Sequence, residues 1–327
     1  MLLGVLIVLL GVLIVLILQR RDVPPAPPDL GPVPHALFEI TGPGKGDAPT
    51  FDRPLSAAWA ENGDIYVADT GNHRVCVFGS DGHFIREFGR PRSANPGAGP
   101  FDLDQPAGIA IGPRGVVYVA DVSGRAVVVF DARGKFVSRI QPPPSAMTGR
   151  RGWAPTDVAV SGGRVYVTDA AGVDVFSVGG FFRGRIDSVG QGARLAYPNG
   201  VAVRPDGTLV VSDTNNGRIV AMDETGSPLW VVGPTDATRR LIGLPRGLAV
   251  AKDGSILVAD AFLFGIVRIS GAGVYVDRFG DRGSALGNFQ FPNDVDVRGE
   301  LVVVADKENN RVQIVKWPGL LGTATRQ

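Results

Sequence analysis

Residues 54–89 read PLSAAWAENGDIYVADTGNHRVCVFGSDGHFIREFG, and four short β-runs can be marked off within them. PLSAAWA is small and apolar, and DIYVAD ends on an aspartate. RVCVF alternates, and HFIREFG closes the stretch. Asn62-Gly63 and Asp81-Gly82 sit between runs, where a tight reversal needs residues that tolerate positive φ. Four alternating runs separated by such turns predict an antiparallel meander.

The same unit then recurs. Its opening strand reappears as PAGIAIG, PTDVAVS, PNGVAVR, PRGLAVA and PNDVDVR, so that the units start at Pro54, Pro106, Pro155, Pro198, Pro245 and Pro292. The second strands end on Asp69, Asp121, Asp169, Asp213, Asp260 and Asp306. A repeat of 43–52 residues with four strands cannot bury both faces alone. It can do so against identical neighbours, and the small residues of the first strand suit the crowded centre where sheets converge. The expectation is an all-β, six-bladed β-propeller. The sixth unit ends near Trp317 without a fourth strand, whereas His35–Gly42, HALFEITG, looks like HFIREFG. That segment is expected to complete the last blade and to remove an open edge, giving a ring over 35–317 and a tail over 318–327.

VADTGNHRVCVF at 67–78 resembles an NHL repeat. SDTNNGRIVAM at 212–222 and ADKENNRVQIV at 305–315 keep its Asp and the Arg five residues on, as Arg218 and Arg311 beside Arg74. The other three units depart: Ala126 and Gly265 replace the Arg, and the hairpin after Asp169 is two residues shorter. The resemblance implies an NHL- or YVTN-like propeller. It says little of function, since this architecture hosts receptors, scaffolds, RNA binders and enzymes.

Composition narrows the chemistry. Of 327 residues 45 are Gly and 25 Pro, as a turn-rich β-protein needs. Thirty-three Lys and Arg against 32 Asp and Glu exclude a globally basic nucleic-acid binder. The single cysteine, Cys76, excludes an intramolecular disulfide and a multi-cysteine zinc site. It alternates within an apolar strand and is expected in the core.

Ahead of the ring, residues 1–18 carry no charged or polar side chain, and as a helix they would span about 27 Å. There is no basic segment before them and no small-residue cleavage site after them. A single-pass anchor is expected rather than a cleaved signal, giving the chain one N-terminal transmembrane helix. Arg20 and Arg21 favour a cytoplasmic ring. Two arginines are a thin margin, and an extracytoplasmic ring stays open. Residues 19–34 form a Pro-rich linker, read as a stalk.

Candidate sites follow from the ring. Six first strands begin at one mouth of the central channel, and there the sequence places Asp157, Asn199, Arg246, Asn293 and Asp294. Their oxygens would suit Ca²⁺ or Mg²⁺. PNG and PND resemble settings in gluconolactonase-like propellers, which hold a metal with Glu, Asn and Asp, but no Glu lies on a first strand. The plainer reading is that these side chains satisfy strand-entry backbone, with no cofactor. His35, His73 and His83 lie off the first strands, so the zinc-binding histidines of peptidyl-amidoglycolate lyases have no counterpart. The recurring pairs Asp69/Arg74, Asp213/Arg218 and Asp306/Arg311 are expected to fix turns and to form ion pairs between blades. A second candidate is the basic loop with Arg150, Arg151 and Trp153, expected to be exposed; it has too few aromatics for a nucleic-acid platform.

The reading is a membrane-tethered, non-catalytic binding, sensing or scaffold module, presenting loops 90–105, 142–154 and 234–244 to another protein. A small-molecule ligand is the next possibility, and nucleic acid is disfavoured. The rival is a metal-dependent lactonase or related hydrolase working at the channel mouth.

Overall fold

The computed structural model describes residues 33–44, 50–89, 101–150, 152–190, 192–233 and 241–322. The anchor expected over 1–18, nearly all of the linker, Arg151, most of loops 90–105 and 234–244, and residues 323–327 lie outside them. Among the described residues no helix is long and apolar enough to cross a membrane.

Six four-stranded antiparallel sheets account for the ring. Blade one comprises Ser56–Trp59, Ile65–Asp69, Arg74–Phe78 and Phe84–Phe88. Blades two to five open at Pro106–Ile111, Asp157–Ser161, Gly200–Val203 and Pro245–Val250, and each runs outward through its four strands in chain order. Blade six takes Pro292–Arg298, Leu301–Asp306 and Arg311–Lys316 from the end of the chain and His35–Ile40 from its beginning. His35–Ile40 pairs antiparallel with the third strand, Ala36 opposite Val315 and Ile40 opposite Val312. Every third-to-fourth strand pair carries a register shift, such as that at Val77/Phe78. One extra residue there bends the outer strand and increases its twist.

Burial lies between blades rather than within them. Six apolar clusters fill the six seams. One joins Tyr66, Val75 and Val77 of blade one to Ile109, Val117 and Phe130 of blade two. The seam that shuts the ring packs Ile40, Val303, Val312 and Ile314 against Trp59, Ile65 and Phe78. Cys76 is fully buried in that seam. Each blade is therefore stable only as its neighbours are.

In five of the six blades, all but the third, the aspartate ending the second strand fixes how the chain enters the blade. Asp69 accepts the Asp52 N–H, Asp121 the Gln105 N–H, Asp213 the Ala196 N–H and Asp306 the Gln290 N–H, at 2.7–2.8 Å. In blades one, four and six the guanidinium five residues on holds the same carboxylate: Arg74 Nε donates to Asp69 at 2.7 Å, Arg218 to Asp213 at 2.6 Å and Arg311 to Asp306 at 2.7 Å. These are braces inside one hairpin rather than links between blades.

Blade three lacks that arginine and finds another. Arg150 reaches in from the preceding loop, 2.5 Å from Asp169 and 2.8 Å from Asp174, and Arg185 approaches the same two carboxylates. Trp153 is 4% exposed and donates its indole N–H to Asp174 at 2.7 Å. The loop expected to be an exposed basic surface is thus docked at both residues. Two buried carboxylates need cations, and this loop supplies one.

Candidate functional site

A first strand has a neighbour on one side only, so its other edge turns unpaired N–H and C=O groups toward the channel. The third residue of each opening motif stands on that edge: Ser56, Gly108, Asp157, Gly200, Gly247 and Asp294 in blades one to six. The three with side chains use them on backbone. Ser56 Oγ accepts the Ile109 N–H of blade two at 3.1 Å and donates to Asp294 Oδ2 of blade six at 2.5 Å. Asp157 Oδ2 accepts the Val201 N–H of blade four at 2.9 Å. Asp294 Oδ1 accepts the Val295 N–H at 2.9 Å.

The glycines make room for these latches. A Cβ on Gly247 would lie 1.8 Å from Asp294 Oδ1 and 2.8 Å from Asp294 Cα, and one on Gly108 would lie 2.6 Å from Asp157 Cα. Gly200 is closed against the Arg246 carbonyl of blade five in the same way. Glycine in one blade is the counterpart of the bulk in the next.

Two residues further on, the first strands carry Ala58, Ala110, Ala159, Ala202, Ala249 and, in blade six, Asp296. Asp296 accepts the Trp59 N–H of blade one and the Val297 N–H, both at 2.7 Å. Sequence reasoning missed it, although an aspartate in a column of five alanines was the visible signal. The result is a channel of about 300 Å³ whose wall bears Asp157, Asp294 and Asp296.

Burial dominates their acidity. It raises Asp157 to about 7 against the partial relief of its backbone N–H bonds, with the Asp296 charge adding to the rise. Asp296 is raised to about 6, again by burial. Burial and then the Asp157 charge lift Asp294 well above the ordinary carboxylate range. Asp157 and Asp294 belong to blades three and six, on opposite sides of the ring, and still repel across the lumen. Asp294 gives up its proton less readily once Asp157 is ionised.

The remaining candidates separate. At the mouth, Arg246 Nε donates to Asn293 Oδ1 at 3.1 Å, and Asn293 Nδ2 donates to the Leu55 carbonyl at 2.7 Å, a relay from blade five across six to one. Asn199 takes no part in it: its backbone N–H goes to Ser212, and its side-chain nitrogen is buried without a hydrogen-bond partner. The His73 ring lies against the Asp104 carbonyl and the His83 ring against Asp81.

The Asp294 and Asp296 oxygens each meet a protein donor, and among the described residues no group of three or more His, Cys, Asp or Glu is placed to hold a metal ion.

The NHL repeat family model matches residues 51–78, 195–222 and 289–315. The chain carries NHL repeats. The matched stretches are those of blades one, four and six, where the hairpin arginine is kept. In those blades the residue before the opening proline, Arg53, Tyr197 or Phe291, also has positive φ. A curated relative, the RING finger protein nhl-1 of Caenorhabditis elegans, is 38% identical over 77 residues, which are 24% of this chain and 7% of that protein. The chain thus spans a small fraction of that relative's length.

Solved structures similar to this propeller include a streptogramin B lyase, with TM-score 0.59 and 12% identity over 86% of this chain and 96% of that one. A Bacteroides thetaiotaomicron protein of unknown function has TM-score 0.67 and 16% identity over 87% and 76%. A luciferin-regenerating enzyme has TM-score 0.59 and 15% identity over 88% and 96%. At such identities the likeness is one of fold.

Proposed function

We propose that this chain is a membrane-tethered NHL-repeat propeller that binds a partner protein and does not turn over a substrate. The observation that carries the reading is the use made of the channel's polar groups. Ser56, Asp157 and Asp296 accept backbone N–H groups of neighbouring blades, and Ser56 joins Asp294, so these side chains close seams. A general base must offer its oxygen to substrate, whereas one oxygen of Asp157 and both oxygens of Asp294 and of Asp296 already accept a hydrogen bond from the protein.

Tethering rests on residues 1–18, an uncharged apolar stretch of spanning length followed by a Pro-rich stalk. A rigid ring on a stalk presents its loops to whatever lies beside the membrane. Chemical cross-linking of the full-length chain in its native membranes should return polypeptides attached through the ring.

One observation favours hydrolysis instead. Carboxylates raised to about 7 and about 6 inside one channel are the kind of perturbed group that active sites collect. Turnover of a lactone panel in Ca²⁺, Mg²⁺ or Zn²⁺, lost in Asp157→Asn, would replace the binding reading with that one.

A further inference from the structure

A second cavity, of about 470 Å³, opens where the first strands begin, with Leu55, Thr70, His73, Asp104, Arg246 and Lys307 on its wall. Its cations are not equivalent. Arg53, also on the wall, is 3.1 Å from its own neighbour Asp52, and Lys307 is 2.8 Å from Glu308. Asp104, the acid on the wall, stands 3.9 Å from the His73 ring. Arg246 alone of the three wall cations has no carboxylate beside it among the described residues; its one side-chain bond is from Nε to the neutral Asn293 amide.

That bond decides which atoms are left. With Nε engaged and the Asn293 amide anchored to the Leu55 carbonyl, the guanidinium is oriented, and its two Nη groups remain as a parallel pair of donors. A side-by-side pair of N–H donors matches the two oxygens of a carboxylate. The guanidinium is also held below its usual pKa by burial, opposed only by the Tyr197 phenol. A sheltered positive charge without an anion is costly, and such a cost is retained where a ligand supplies the counter-charge.

We propose that this mouth cavity binds a carboxylate-bearing ligand, received end-on by the Nη pair of Arg246. The inference rests on the binding reading above and gives the partner its chemistry: an acidic side chain or chain terminus entering the mouth. A free dicarboxylic acid offers the same group, and the test separates the two sources.

The full-length chain in detergent micelles would be titrated calorimetrically with N-acetyl tetraglutamate amide, with its tetraglutamine counterpart, with glutarate and with inorganic phosphate. Tetraglutamate or glutarate should bind and tetraglutamine should not. Arg246→Gln should weaken binding at least about tenfold, and Arg246→Lys, which keeps the charge without the fork, should also weaken it. Binding of tetraglutamate supports a polypeptide source, and binding of glutarate alone supports a small acid and removes the protein-partner reading while leaving the site. Equal affinity in Arg246→Gln, no binding of either carboxylate, or tighter binding of phosphate would overturn the assignment. Thermal unfolding without ligand guards against a folding artefact: Arg246→Gln should melt no lower than the parent, because an uncompensated charge has been removed. A clear drop would make Arg246 a structural brace and overturn the proposal.

Discussion

At the residue scale the channel carboxylates act on stability with a definite sign. A folded pKa raised from 3.8 to about 7, as at Asp157, means that the folded ring keeps protons the unfolded chain has already released. Stability from this group is fully present below the ordinary carboxylate pKa and is lost as pH rises through the folded value. Each tenfold gap in proton affinity between the folded and unfolded chain is worth about 1.4 kcal/mol. Melting temperature should therefore fall between about pH 4 and pH 7, and Asp157→Asn should flatten that slope, because the amide oxygen can still accept the Val201 N–H. A parent whose stability rises over the same range would show that these groups are ionised at little cost. Gly247→Ala tests the latch from its other side. The added methyl meets Asp294 Cα as well as its carboxylate, so the loss should be about 1–3 kcal/mol in chemical denaturation. Much of this was legible: Asp157 and Asp294 stand out among glycines at one position of the repeat. Their bonding was not legible, because the acceptor of a lumen-facing N–H lies in a neighbouring blade some 40 or more residues away, and Asp296 was hidden in a motif read for its apolar residues.

At the scale of elements, each hairpin aspartate is a buried charge that must be held, and the way it is held differs between blades. Arg74 is fully buried and is the cation on Asp69, whereas Arg150 shares Asp169 and Asp174 with Arg185. Arg74→Ala should cost about 3–5 kcal/mol, the range for leaving one buried charge unpaired. Arg150→Ala should cost less, while releasing Trp153 and the loop around it to proteolysis. Comparable losses in the two variants would show that Arg185 does not share the load. The hairpin braces could be read from Asp and Arg five residues apart, a local spacing. The brace of blade three could not, since Arg150 lies 19 residues before Asp169, and a loop rich in Pro, Gly and Arg reads by composition as exposed. Tryptophan ending such a loop was the one sign that it returns to a core.

At the scale of the whole molecule, six blades of similar sequence make a ring only if the last meets the first, and the join is not left to apolar packing alone. Ile40 enters the seam between blades six and one, and Glu39 beside it stands 2.5 Å from Arg311 Nη1. Glu87 stands at the same distance from Arg74 in blade one, so the joining strand carries the same ion pair as an ordinary fourth strand. Ser56 to Asp294 and Trp59 to Asp296 cross the same seam on the channel side. A chain beginning at residue 50 would lose the outer pair and the Ile40 contact, leaving Arg311 buried on one carboxylate and the third strand of blade six as an open edge. It should melt well below a chain beginning at residue 30, and it should associate at high concentration as that edge finds strands in other copies. Glu39→Gln separates the two contributions: the strand remains paired but the charge is gone, and about 1 kcal/mol or less should be lost, because Glu39 is 42% exposed and solvent screens the pair. If the chain from residue 50 melts with the longer one and stays monomeric, the inner latches hold the ring without the N-terminal strand, and closure is a property of the channel rather than of the rim.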